Sequence, residues 1–247
     1  MKHRESEIRL DSPVCRSGEG KRQHSPDRHQ LHKNRPQGAD KEKRATTAKL
    51  KDPINVIITG VGGQGNVLAS RVLAGMLVDA GFYVTIGETF GMSQRGGSVM
   101  SHLRISEKSV RSPQIPQGRA DIIVALEPVE ALRVLARYGN PAIAVLSNSR
   151  VVYPIGVITG ELNYPSLTEI QNVLRRTSAK NWLIDATGEA VRLGNPVLSN
   201  IIMIGALSAT ELLPFSRREF EKEIARNMTA DKRRINLAAF DIGAGMI

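Results

Sequence analysis

The chain has 247 residues, a formal net charge of +10 and one cysteine, Cys15. A single thiol closes no disulfide within the chain. Residues 53–247 contain no cysteine, which excludes a thiolate-bound zinc or an iron–sulfur cluster held by that stretch alone.

The charge is uneven. Residues 1–52 hold seven Lys, seven Arg and eight acids, a net +6, together with four of the five histidines and no Phe, Tyr or Trp. Their few apolar side chains follow neither a helical nor a strand period. Too little surface can be buried there to offset the entropy of ordering, so a disordered basic extension is expected. Its charge would suit nucleic acid, an acidic partner or a membrane surface. Its mixed signs and its lack of aromatics to stack on bases favour a solvated extension. No apolar signal core is present, and an acid-poor transit peptide does not match. The apolar stretch 197–213 is interrupted by Ser199, Asn200, Ser208 and Glu211, which suits a buried helix better than a membrane span. A soluble, cytoplasmic protein is expected, with 53–247 as one domain.

Within that domain strands and helices alternate. Residues 54–59 form a continuous apolar run, the pattern of a strand buried on both faces. Residues 64–80 place Leu68, Val72 and Met76, and one row over Leu73 and Leu77, at helical spacing, and Gly81 stops the helix. Residues 82–86 read as a second strand, so the first segment predicts a βαβ unit and a parallel strand pair. Residues 98–105 alternate, with Val99, Leu103 and Ile105 on one face and Met100, His102 and Arg104 on the other, as a half-exposed edge strand would. A loop with Pro113 and Pro116 leads to an apolar strand at 121–126. Glu127-Pro128 opens a helix that runs to Tyr138, with Glu130 and Arg133 expected on its exposed face. A strand at 142–146, an excursion or hairpin at 151–159, and a helix at 165–178 with Leu167, Ile170, Val173 and Leu174 inward come next. A last strand at 182–185 precedes helices at 196–213, 216–227 and from 231 onward, the second opened by a Ser216/Glu219 capping box. The expected architecture is a three-layer α/β sandwich around a largely parallel, Rossmann-like sheet.

Two glycine motifs carry the chemistry. Gly60-Val61-Gly62-Gly63-Gln64-Gly65 stands between a strand and a helix, the context of a dinucleotide fingerprint. In that reading Gly60 permits the turn, Gly62 removes a Cβ from the path of a phosphate and Gly65 lets the helix approach the sheet. The helix N-terminus would offer N–H groups to an anion, and Glu88 would stand where a ribose-binding acid ends the next strand. A nicotinamide or flavin dinucleotide, another nucleotide, or coenzyme A all satisfy this physics. A P-loop is excluded, because no Lys-Ser/Thr follows Gly65. The second motif is Gly91-Met92-Ser93-Gln94-Arg95-Gly96-Gly97-Ser98. Gly96 and Gly97 can form a concavity of backbone N–H groups, with Arg95 as a cation and Ser93 and Gln94 as neutral donors. Either the two loops grip one phosphorylated ligand, or Arg95 and the glycines shape a subunit interface. His102 is expected to be structural or surface, and Glu88 a loop or interface carboxylate.

These two motifs, with Ile115-Pro116, Ala120-Asp121, the run from Glu127 through Arg133 and a helix start at 194–200, closely resemble the gamma-type domain of the 2-oxoacid:ferredoxin oxidoreductases, in particular the beta subunits of the indolepyruvate enzymes. The resemblance covers about residues 54–240. Phe90 departs from it, since family members often carry His there. The resemblance implies a heteromeric enzyme. An alpha subunit would hold thiamine diphosphate and iron–sulfur clusters, an aryl pyruvate would be decarboxylated, electrons would pass to ferredoxin, and the acyl group would be captured by coenzyme A. This chain would hold no cofactor alone and no catalytic residue or metal. It would contribute Gly60, Gly62, Gly63, Gln64 and Gly65, with Ser93, Gln94, Arg95, Gly96 and Gly97, to the coenzyme A site. The rivals are a free-standing dinucleotide oxidoreductase and a non-catalytic protein that uses its basic extension on nucleic acid.

Overall fold

The computed structural model describes residues 51–91 and 97–247. The expected extension, apart from Lys51 and Asp52, and the site candidates Ser93, Gln94, Arg95 and Gly96 lie outside those residues.

Strand β1 (Ile54–Val61) is followed by helix α1 (Asn66–Asp79) and strands β2 (Tyr83–Phe90) and β3 (Ser98–Ser106). Then come β4 (Ile122–Ala125), α2 (Pro128–Tyr138), β5 (Ala144–Asn148), the single turn α3 (Ile155–Ile158), α4 (Leu167–Thr177) and β6 (Lys180–Ile184). The chain ends in α5 (Ala186–Arg192), a 3₁₀ turn (Pro196–Leu198), α6 (Ser199–Ala209), α7 (Arg217–Asn227) and α8 (Ala230–Ala244).

The six strands form one sheet in the order β2-β3-β1-β4-β5-β6. β1, β4, β5 and β6 are mutually parallel neighbours, while β3 is antiparallel to both β1 and β2. Apolar runs on β1, β4 and β5 make sense here, because both faces are covered. Successive residues alternate between two cores: Val56, Ile58, Ile122, Val124 and Leu146 pack towards α1 and α6, whereas Ile57, Ile123, Ala125 and Val145 pack towards α2 and α4. Phe220 of α7 and Phe240 of α8 stack with centroids 4.5 Å apart and close the larger core. The result is the expected three-layer α/β sandwich.

Several local expectations change. β2 runs in the same sense as β1 but does not pair with it, because β3 lies between them. β3 is therefore an interior strand and β2 the edge. Alternation along β3 reflected polar residues that the following loop covers: Arg104 reaches the carbonyls of Ser112 and Gln114, and the Ile115 N–H donates to His102 Nδ1 at 3.3 Å. On α4 only Ile170 and Leu174 are buried; Leu167 and Val173 are exposed. Segment 151–159 forms the single turn α3 and no hairpin. Helix α5 was not anticipated. It has less than two turns and contains Gly188, and the Asp185 carboxylate caps it through Gly188 N–H at 2.8 Å. The capping box of Ser216 and Glu219 is present as expected, and a second joins Ser166 to Glu169.

Candidate functional site at the carboxyl edge of the sheet

The parallel strands β1, β4 and β5 all end at one edge of the sheet, and the loops that leave them build the site. In open α/β sheets ligands bind at that edge.

Gly60 is part of β1, opposite Val99, and does not make the turn. Its missing side chain makes room: a Cβ there would stand 2.6 Å from Gln64 Oε1 and 2.7 Å from Asn66 Oδ1. Gln64 uses that space to join two strands. Its Oε1 accepts from Val61 N–H at 2.7 Å, and its Nε2 donates to the Leu126 carbonyl at 3.0 Å. Gly65 is the N-cap of α1 with φ +82°, a left-handed conformation, and a Cβ there would overlap the Asn200 amide of α6. That amide donates to the Gly65 carbonyl at 3.3 Å. Gly63 has open space where a side chain would be. Gly62 N–H donates to the Gly97 carbonyl at 2.9 Å, so the first glycine motif touches the end of the second. Gly91 N–H donates to the Ser98 carbonyl at 2.8 Å, which closes the base of the second motif.

This turn differs from a dinucleotide cradle. The N–H groups of Val61 and Gly62 are already spent on Gln64 and Gly97. Glu88 is exposed on β2, which stands two strand spacings from β1, about 10 Å away. The acid and the turn are thus separated by β3, whereas the ribose-binding arrangement needs adjacent strands.

Amides lace the remainder of the edge. Asn148, the last residue of β5, donates to the Leu126 carbonyl at 3.2 Å and to Thr187 Oγ1 at 2.8 Å. Asn66 donates to the Val61 carbonyl at 3.2 Å. The Oδ1 atoms of Asn66 and Asn200 are buried and meet no donor among the described residues. These three asparagines went unread in the sequence. Their signal is a polar amide at the end of an apolar element; Asn200 enters the sequence reading only as a break in the apolar stretch 197–213 and within the helix start at 194–200.

Glu127 and Glu130 also depart from expectation. Both are buried, at 1% and 4% exposure, and do not line an exposed face. Glu127 caps α2 by accepting from Glu130 N–H at 2.8 Å. Its other oxygen accepts from the Tyr164 hydroxyl and from Val152 N–H at 3.4 Å. Glu130 accepts from Arg133 at 2.7 Å and from Ser98 Oγ at 2.6 Å, which ties α2 to the end of the second glycine motif. Burial, then the hydroxyl's hydrogen bond to Glu127 and the carboxylate's charge, push the Tyr164 phenol well above its ordinary range. It stays protonated and donates.

His102 lies on the far face, fully buried, with Tyr138 edge-on at 5.2 Å. Burial, and then the nearby Arg137 charge, hold its pKa below the ordinary value. It is a neutral core residue. No group of three or more His, Cys, Asp or Glu side chains converges on a metal position among the described residues. No helix among them is long and apolar enough to cross a membrane.

The chain has relatives among known proteins. Over 190 residues the chain is 37% identical to the indolepyruvate oxidoreductase subunit IorB of Pyrococcus horikoshii, covering 76% of this chain and 93% of that protein. Its fold matches pyruvate oxidoreductase subunit PORC of Thermotoga maritima with a TM-score of 0.59 at 20% identity, over 79% of this chain and 97% of that one. It also matches the 2-oxoglutarate:ferredoxin oxidoreductase of Magnetococcus marinus, solved with 2-oxoglutarate, coenzyme A and succinyl-CoA bound, with a TM-score of 0.60 at 20% identity. That match covers 79% of this chain and 31% of the longer one. Residues 55–246 fit the family model of pyruvate ferredoxin/flavodoxin oxidoreductase, and the chain belongs to that family.

Proposed function

We propose that this chain is the non-cluster subunit of a heteromeric ferredoxin oxidoreductase that converts aryl pyruvates, indolepyruvate first among them, into aryl-acetyl-CoA. The 37% identity to an indolepyruvate oxidoreductase subunit, over 93% of that protein's length, carries the reading. Thiamine diphosphate and iron–sulfur clusters on the partner alpha subunit supply decarboxylation and electron transfer to ferredoxin. That division of labour suits a chain with no cysteine in residues 53–247.

The contribution of this chain is the coenzyme A side of the reaction. Gly60, Gly62, Gly63, Gln64 and Gly65 shape one wall, and Ser93, Gln94, Arg95, Gly96 and Gly97 supply donors and a cation for a phosphate. The contact between Gly62 and Gly97, together with the open space at Gly63, supports a shared site. So does the bound coenzyme A in the Magnetococcus enzyme of the same fold.

Purification of the complex from its host, followed by arylpyruvate- and CoA-dependent viologen reduction, tests the reading. Loss of a charge-assisted phosphate contact in Arg95→Ala is expected to raise the KM for coenzyme A by about tenfold or more, with the complex intact. An unchanged KM with a lost complex would make the second loop an interface and remove it from the coenzyme A site.

A further inference from the structure

Between β5 and α4 the chain leaves the sheet at the same edge as the glycine turns. In the middle of this excursion stands α3, with the sequence Ile155-Gly156-Val157-Ile158, and none of its four residues is buried. Ile155 is 78% exposed and Ile158 72%, and Leu162 and Tyr153 beside them are exposed as well. Single exposed apolar residues are ordinary, but four large ones within ten residues form a patch, and such patches mark contact surfaces.

The excursion is also held in shape. One oxygen of the buried Glu127 carboxylate accepts from Val152 N–H on its way out and from the Tyr164 hydroxyl on its way back. Tyr153 packs edge-on against Tyr164, with centroids 5.4 Å apart. Leu162 N–H donates to the Gly156 carbonyl at 2.8 Å, and the Leu162 side chain lies against Gly156. A buried carboxylate thus anchors an ordered apolar knob whose large side chains stay mostly exposed among the described residues.

We infer that this knob, Tyr153, Ile155, Ile158 and Leu162, is the docking surface for the subunit that carries the redox groups. This rests on the proposed function and adds the place of contact. Three observations select that occupant. The relative named above is itself a subunit. In the Magnetococcus enzyme the same fold accounts for under a third of one longer chain, so there it is continuous with the remainder of an oxidoreductase. The knob also rises from the edge that bears the glycine turns, and its anchor Glu127 follows directly on Leu126, whose carbonyl takes the Gln64 amide. A partner seated on the knob faces the site where coenzyme A must meet chemistry lodged on another chain.

The test co-expresses the full chain with its alpha subunit and compares wild type, Ile155→Asp/Ile158→Asp and Val110→Asp. Val110 is 63% exposed, in the loop that follows β3 at the opposite edge. The double variant is expected to weaken the complex by about thirtyfold or more, with circular dichroism and melting temperature of the isolated chain unchanged and Val110→Asp binding as wild type. Equal binding by wild type and the double variant would overturn the docking surface and leave the proposed function standing. Equal loss in Val110→Asp would overturn it as well. A wild-type chain that forms no complex at all would instead sink the proposed function, and the inference with it. A wild-type homodimer that the double variant turns into monomers would assign the knob to a second copy and refute the inference.

Discussion

Two loops leave the same edge of the sheet and are built on opposite principles. The turn at 60–65 is polar and closely laced: Gln64, Asn66, Asn200 and the Gly97 carbonyl meet several of its backbone groups, and Gly60 and Gly65 have no room for a Cβ, while Gly63 faces open space. The excursion at 149–166 is fastened at its base but apolar at its tip, which no described residue buries. Buried polar groups must find partners within the fold or cost stability, whereas uncovered apolar groups merely forgo a gain until a second molecule supplies it. The first loop is held mainly by polar contacts within this chain, and the second presents apolar surface that this chain does not pack.

The sharpest way to break this contrast is at the anchor. Glu127→Ala removes a helix cap and strands the donors of Tyr164, Val152 and Glu130, so it is expected to cost about 3 kcal/mol. Urea denaturation measures this, and limited proteolysis should show new cleavage within 149–166 before the domain unfolds. A cost below about 1 kcal/mol would mean that the carboxylate does not hold the excursion. Next in size is the glycine turn. Gly65→Ala forces a side chain into a left-handed conformation and against the Asn200 amide, at an expected cost of about 2 kcal/mol. Wild-type stability in that variant would show slack between Gly65 and the Asn200 amide.

The smallest effect concerns His102, far from either loop. Its Nδ1 accepts a hydrogen bond, so the folded protein holds the neutral ring, with a pKa below the 6.5 of the exposed side chain. At pH values below about 6.5 the unfolded chain takes up this proton and the folded one resists it. This contribution is therefore present at higher pH and is lost as pH falls from 6.5 towards the depressed folded value. The wild-type urea midpoint should decline over that interval more steeply than that of His102→Gln. Parallel profiles would remove His102 from the account.

What the sequence made legible was whatever depends on near neighbours. Apolar runs gave β1, β4 and β5, the spacing of Ser216 and Glu219 gave a capping box, and glycines between strand and helix marked the turn from β1 into α1. What it hid depends on distant partners. Glu127 and Glu130 resemble exposed charges in local spacing, because Ser98, Val152 and Tyr164 lie 25 to 37 residues away from the carboxylates they bond. The alternation of β3 reported the polarity of its faces and carried no information about which strands flank it. Gly60 was assigned to the turn for its usual role in that motif, yet the side chains of Gln64 and Asn66 are what require it. Within the second motif only Gly91, Gly97 and Ser98 are placed, so Arg95 keeps the reading its sequence supports.

The lacing of the glycine edge by Gln64, Asn66, Asn148 and Asn200 sets how this protein ages. Carboxamides neither gain nor lose protons in ordinary buffers, so these contacts hold their geometry through acidification that would alter carboxylates. Their weakness is slow and chemical, since Asn and Gln are among the residues that heat degrades. Hydrolysis of Asn148 would turn a donor to the Leu126 carbonyl into a second acceptor facing it, and one aged side chain would loosen the loops that leave β4 and β5 while their backbone ladder holds.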